Sequence, residues 1–186
     1  TRYFRSSTKN RQDGYEPLDK ENITMLGKDQ WIWLYDALLN EADLIILLSS
    51  VQVLPTVHQF EKWEIFPNER VKLLNALENI KTKTIILSGD RHRAGIYEYR
   101  DIVEITSSSL NKAIADSWYE KLILNLMPKS MQRKFIDPKE YDSLQLEDLV
   151  SEVNYGLLKI DAKQRVITSE IKNIDGETIR KKIIGF

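Results

Sequence analysis

Apolar residues first recur with a helical period between Gly27 and Asp43. In "GKDQWIWLYDALLNEAD", Trp31, Leu34, Tyr35 and Leu38 fall at i, i+3, i+4 and i+7, the spacing of one buried helix face. Asp29 sits in the first turn, where the helix dipole favours a carboxylate. The period then disappears. "DLIILLSSVQV" is a continuous apolar run, the pattern of a strand covered on both faces. A loop, "LPTVHQFEKWEIFP", leads to a second predicted helix near 68–80 with Leu74, Leu77 and Ile80 inward, and "KTIILSGD" is a second fully apolar strand. Helix, strand, helix, strand with short connections predicts an α/β layer in which neighbouring parallel strands are joined by a crossover helix. A further strand is expected at "DIVEITSSS".

The flanks of this 27–111 alternation have a different character. Residues 1–26 are polar, with turn signals at Asp13-Gly14 and Pro17, and read as loop. Residues 112–152 read as a helical insert, apolar-rich over 112–135, broken at Pro128, and mixed polar and acidic after that. Over 153–186 the period shortens to that of strands: three β-runs punctuated by "DAKQ" and "DG" predict a meander.

Composition narrows the function classes. A chain of 186 residues suffices for one domain or for part of a larger one. A formal charge of −1 gives no bulk argument for nucleic acid or an anionic membrane surface, and no run approaches the ~20 apolar residues of a membrane span. Neither nucleic-acid binding nor membrane insertion is therefore expected. The absence of cysteine excludes disulfides, thiolate catalysis and cysteine-ligated metals, and leaves the cellular compartment open.

In open α/β sheets ligands bind beyond the carboxyl ends of the strands, and both histidines of the chain lie just past such ends. Asp90 and His92 leave "TIILSG" two residues apart, so an extended loop brings a hard carboxylate and an imidazole to one side, a donor pair suited to iron, zinc or manganese. The same two residues would equally make a hydrogen-bonded turn. Gly89 would let the backbone bend sharply beside a metal. His58 follows the first apolar run, with no acidic partner fixed by spacing. Arg91 and Arg93 have the guanidinium geometry for a phosphoryl group, or for surface ion pairs. In "TSSSLN", Ser109 is placed to cap a following helix, while Ser107 and Ser108 either line a pocket or do not.

Five blocks carry more than spacing: "MLGKDQWIWLYDALL", "LLSSVQVLPTVHQFEKWEIFPNER", "IILSGDRH", "EITSSSLN" and "NYGLLKID". In this order they resemble the PhoD-like alkaline phosphatases, a metallophosphoesterase family, and "TRYFR" looks like a further family segment entered after its aspartate. The resemblance implies part of a calcineurin-like fold, a two-sheet αββα sandwich ending in the β-meander, with metal ions at the sheet ends. It implies hydrolysis of phosphate monoesters or diesters with iron and calcium as cofactors, cations offsetting the charge that develops as activated water attacks phosphorus. Carried over to this chain, Asp90 and His92 match a metal-site motif. His92, His58 and Arg2 become catalytic candidates. Arg2, Glu61 and Trp63 become candidates for contact with the phosphate-ester substrate, joined by Arg91, Ser107 and Ser108 from the reading of the residues above. The family's earlier metal ligands have no counterpart here, so the chain is expected to be the C-terminal part of a catalytic domain whose N-terminal half is missing, and inactive alone. The competing expectation is a non-catalytic α/β binding module that kept the fold without the metal cluster.

Overall fold

Regular structure begins earlier than the polarity of the first residues suggests. The computed structural model of the chain describes residues 2–8, 10–11, 14–15, 17–20, 22–58, 60–111, 113, 122–123, 125–128 and 142–186. Within the stretch read as loop, β1 (Asn10–Arg11) and β2 (Gly14–Tyr15) pair antiparallel. The segment before them is docked: the Ser6 backbone N–H donates to the Thr24 carbonyl at 2.8 Å, and the Thr24 N–H donates to Ser6 Oγ at 3.0 Å. Gly27, at φ +77°, lets this segment close on the start of the first helix, since a Cβ there would lie 2.9 Å from Phe4 Cβ.

The first helix, α1 (Lys28–Leu38), buries Trp31, Leu34 and Leu38 as predicted. Tyr35 departs from that stripe and stands half exposed, with the Lys72 ammonium of the next helix 4.1 Å above the Trp31 ring and 5.4 Å from the Tyr35 ring. After β3 (Leu44–Ser49) and a single 3-10 turn (Trp63–Ile65), α2 (Pro67–Asn79) starts on a proline that needs no N–H partner, and it buries Leu73, Leu74 and Leu77. Ile80 lies just past its end and packs half-buried against the same core.

The central sheet has the order β3-β4-β6-β5, with β4 at Lys83–Ser88, β5 at Ala94–Tyr99 and β6 at Ile102–Ser107. β3 pairs with β4 in parallel from Leu44↔Lys83 to Ser49↔Ser88, the parallel pair joined through α2 that the alternation predicts. β4 and β6 are also parallel, whereas β5 runs antiparallel to β6 through the two-residue turn Arg100-Asp101, with Arg100 at φ +53°. β7 (Asn154–Asp161), β8 (Val166–Asn173) and β9 (Thr178–Gly185) form the predicted meander.

Three layers result. The helices pack Trp31, Leu34, Leu73 and Leu77 against Ile86 and Ile102 on one face of the central sheet. On the other face, Ile85, Ile96 and Ile105 meet Ile167, Ile171 and Ile184 of the meander. β4 is covered on both faces, as its lack of a polar side requires. β3 is not, which corrects the expectation for "DLIILLSS": Ile46 is 37% and Leu48 70% exposed. The reason is position. β3 ends the sheet and has no second neighbour among the described residues, whereas the opposite edge, β5, is covered by residues 144–150 through Glu98 N–H to Leu144 O and the mutual Ala94–Val150 pair. The helical insert expected at 112–135 lies largely outside the described residues. No helix among the described residues is long and apolar enough to cross a membrane.

Candidate functional site

β4 ends at Ser88, and the four residues after Gly89 alternate in burial: Asp90 and His92 are exposed, Arg91 and Arg93 buried. Asp90 at φ +71° and His92 at φ +52° both occupy the left-handed region, which Asp and His enter more readily than most side chains but at a cost. Two such residues in a three-residue stretch turn the chain, a role assigned from sequence to Gly89. Gly89 is not in the left-handed region, and a Cβ there would meet only ordinary contacts, the nearest at 3.7 Å from Ser108 Cβ.

The structure brings Arg2, Glu61 and Asp90 together. Arg2 Nη2 lies 2.5 Å from Asp90 Oδ2 and Arg2 Nε 3.6 Å from Glu61 Oε1, which Arg5 Nε also approaches at 3.1 Å. Arg2 thus reaches the loop after β4, with a candidate metal ligand as its immediate partner. Ser108 clasps the same loop: its Oγ accepts from the Arg91 N–H at 3.1 Å and donates to the Arg93 carbonyl at 3.0 Å. Arg91 stacks its guanidinium 4.4 Å above the Phe60 ring, inside the protein and not on an open loop edge, and burial beside Arg93 lowers its pKa to about 10. Ser107 donates to Asn154 Oδ1 at 2.9 Å and so joins β6 to β7. Ser109 pairs with Asn154 in an isolated bridge; the helix it was expected to cap lies outside the described residues.

Trp63 is placed in the core, at odds with a substrate-facing role. It is 2% exposed, donates from Nε1 to Ser49 Oγ at 3.1 Å and meets Trp31 edge-on. An indole with its N–H satisfied and its ring enclosed serves packing.

His58 is buried too. Burial, then Arg91, Lys62 and Arg93, hold its pKa far below the usual imidazole range, so the ring stays neutral. Nδ1 accepts the Phe60 N–H at 3.2 Å, which leaves the ring proton on Nε2, a buried atom with no hydrogen-bond partner among the described residues. In this tautomer His58 offers a donor, not a base. Lys62, its pKa lowered to about 8 by burial, donates from Nζ to the His58 carbonyl.

In the loop 50–58 that carries His58, residues 51–55 are buried without regular structure, so their N–H groups need partners. Two carboxylates serve the loop. Glu104, fully enclosed on β6, accepts from Val53 N–H at 3.0 Å and Leu54 N–H at 2.5 Å; Asp142 accepts from Thr56 N–H at 2.6 Å. Arg70 of α2 donates to the Val53 and Leu54 carbonyls at 2.7 Å each. Neither Glu104 nor Asp142 is among the candidates predicted from sequence. For Glu104 a signal existed: a carboxylate in the middle of "IVEITS" must be buried with partners if that strand is central.

Burial raises the Glu104 pKa from 4.5 to about 7, against the lowering effect of its Ser88, Leu54 and Val53 hydrogen bonds. Because the folded value is the higher, the contribution of this group to stability is greatest below pH 4.5 and falls as pH rises through about 7. That loss is on the order of 3 kcal/mol. His58 acts in the opposite sense, its neutral ring costing stability as pH falls below 6.5. The difference between the wild type and Glu104→Gln isolates the first effect. In denaturant titrations from pH 4.5 to 8, the wild type should lose stability relative to the variant with rising pH; a constant difference would show that Glu104 is already ionised throughout.

As to metal, the donors suit a hard or borderline cation, but the described residues do not make a complete site. No three His, Asp, Glu or Cys side chains converge among them. Asp90 and His92 form one side of a site at most.

The fold is similar to a solved structure titled "GAP50 the anchor in the inner membrane complex of Plasmodium", with a TM-score of 0.59 and 16% sequence identity. The alignment covers 85% of this chain and 42% of that one, so the chain spans less than half the length of the similar structure. No curated protein matches the chain. The family model for PhoD-like phosphatase matches residues 1–171, over the five blocks and the site loops described above. The chain belongs to the PhoD-like phosphatase family.

Proposed function

We propose that this chain is part of the catalytic domain of a metal-dependent phosphoesterase, in which Asp90 and His92 hold metal ions together with ligands from outside residues 1–186. The observation that carries the reading is the loop after β4: two left-handed residues, both exposed, bearing the carboxylate and the imidazole, with two arginines buried between and behind them. Family membership supports phosphate esters as the substrate class. Iron and calcium are the proposed ions; when bound they would draw charge from phosphorus and activate water. Arg2 would leave Asp90 for a phosphate oxygen, and His58 would donate through Nε2. The helix, mixed-sheet and meander layers are read as part of a calcineurin-like two-sheet sandwich whose remaining strands continue from β3.

The second reading, a non-catalytic binding module, is favoured by the Arg2–Asp90 pair, in which a guanidinium and not a metal ion satisfies the carboxylate. Metal removal separates the two. A longer protein containing this region together with the preceding half of the domain should hydrolyse a chromogenic phosphate ester, lose that activity on chelation and regain it with iron and calcium. A module would hydrolyse nothing under any metal condition.

A further inference from the structure

Glu104 joins the loop that carries His58 to the end of β4, from which the Asp90–His92 loop leaves. Its Oε1 accepts the Ser88 hydroxyl at 2.5 Å, two residues before Asp90, and the Val53 N–H at 3.0 Å; its Oε2 accepts the Leu54 N–H at 2.5 Å, four residues before His58. Ser88 Oγ also lies 2.8 Å from Thr106 Oγ1, which accepts from Gln52 Nε2 at 2.8 Å. Every member of this network except Ser88 is buried, and the network bridges β4, β6 and the 50–58 loop. A buried carboxylate shared by the end of β4 and the 50–58 loop transmits a displacement of one to the other, because the enclosed Val53 and Leu54 N–H groups have no water to replace a lost bond.

We propose that Glu104 is a positioning residue that fixes the His58 loop against the Asp90–His92 loop. The proposal rests on the reading of these loops as one phosphoesterase site, but the coupling it asserts is independent of activity. Glu104 sets a distance that backbone pairing alone leaves open, since β3 ends at Ser49 and the loop runs nine residues beyond it to His58 without a ladder.

The test perturbs one loop and reads the other in the same chain. Ser88→Ala removes one hydroxyl beside the Asp90 loop; backbone amide exchange at Val53 and Leu54, and the ring resonances of His58, report on the opposite loop. We expect exchange at Val53 and Leu54 to accelerate roughly tenfold and the His58 signals to shift, while Ile86 and Val103 keep their protection. In a Glu104→Gln background the same Ser88→Ala change should move neither. If Ser88→Ala leaves Val53, Leu54 and His58 unchanged, or accelerates all sheet amides equally, Glu104 is a core residue only and the proposal is wrong. Should Glu104→Gln fail to fold, the Ser88→Ala comparison alone decides. In the longer protein that includes the preceding half of the domain, uncoupled loops with hydrolysis retained would sink this inference and spare the phosphoesterase reading; coupled loops without hydrolysis would do the reverse.

Discussion

Replacing Asp90 by Asn in the complete, metal-loaded enzyme should lower turnover about 100-fold or more while leaving the domain folded. Asparagine is the side chain most tolerant of the left-handed backbone at φ +71°, so the turn survives the change. The lost ion pair joins two side chains that are 35% and 42% exposed, and such pairs contribute about 0–1 kcal/mol. On the functional side, removal of an outer partner of a metal ligand already costs roughly 10- to 100-fold, and a ligand itself should cost at least the upper end of that range. His92→Ala should behave alike, since its exposed ring makes no hydrogen bond among the described residues and packs into no core cluster. The measurements are kcat, metal content and thermal midpoint for each variant. Near-normal turnover with metals still bound would make these two residues bystanders and remove the metal-site proposal.

The elements that read correctly from sequence are those whose burial is decided locally. α1, α2 and β4 each carry an apolar pattern that only one packing satisfies, and the meander is punctuated by its own turns. β5 was not expected: "AGIYEY" opens with two small residues, and its antiparallel place beside β6 depends on the Arg100-Asp101 turn, which contains neither Gly nor Asn. Tightness explains Gly95, where a Cβ would lie 2.6 Å from Leu149 Cδ2; that partner lies 54 residues away and no local pattern announces it. Asp90 and His92 were singled out because a buried strand ends in a carboxylate and an imidazole, and both are exposed on the loop after β4. The carboxylates that build the His58 loop were not, since Asp142 and Thr56 are 86 residues apart and meet only through the tertiary fold. Trp63 entered as a substrate contact through the family resemblance, whereas its indole turns inward to Ser49.

The largest expected effect on physical behaviour lies at the other end of the sheet: residues 1–186 alone should self-associate and hydrolyse no phosphate ester. β3 offers a six-residue edge with no second neighbour among the described residues and exposes Ile46 and Leu48 beside it. Trp33 of α1 stands out into solvent nearby, 63% exposed, and a groove of about 300 Å³ runs between Leu26, Trp33, Leu34, Ile46 and Leu48. A bare apolar edge strand is a template for another strand, and contiguous apolar surface of this kind is uncommon on an isolated monomer. The proposed occupant is a strand from the preceding half of the domain. The similar solved structure has more than half of its chain beyond the part this one covers, and the opposite sheet edge is already covered from within. Light scattering and size exclusion should therefore show concentration-dependent association of residues 1–186, reduced by Leu48→Lys, which places a charge on the exposed face. Co-production with the preceding half of a PhoD-like relative should yield a soluble one-to-one complex that hydrolyses a chromogenic phosphate ester. In that complex Leu48→Lys should weaken assembly and activity together, because the lysine would be trapped where the wild type buries a leucine. A chain of 186 residues that proves monomeric and active by itself would overturn the completion at β3, and would require a full set of metal ligands within it.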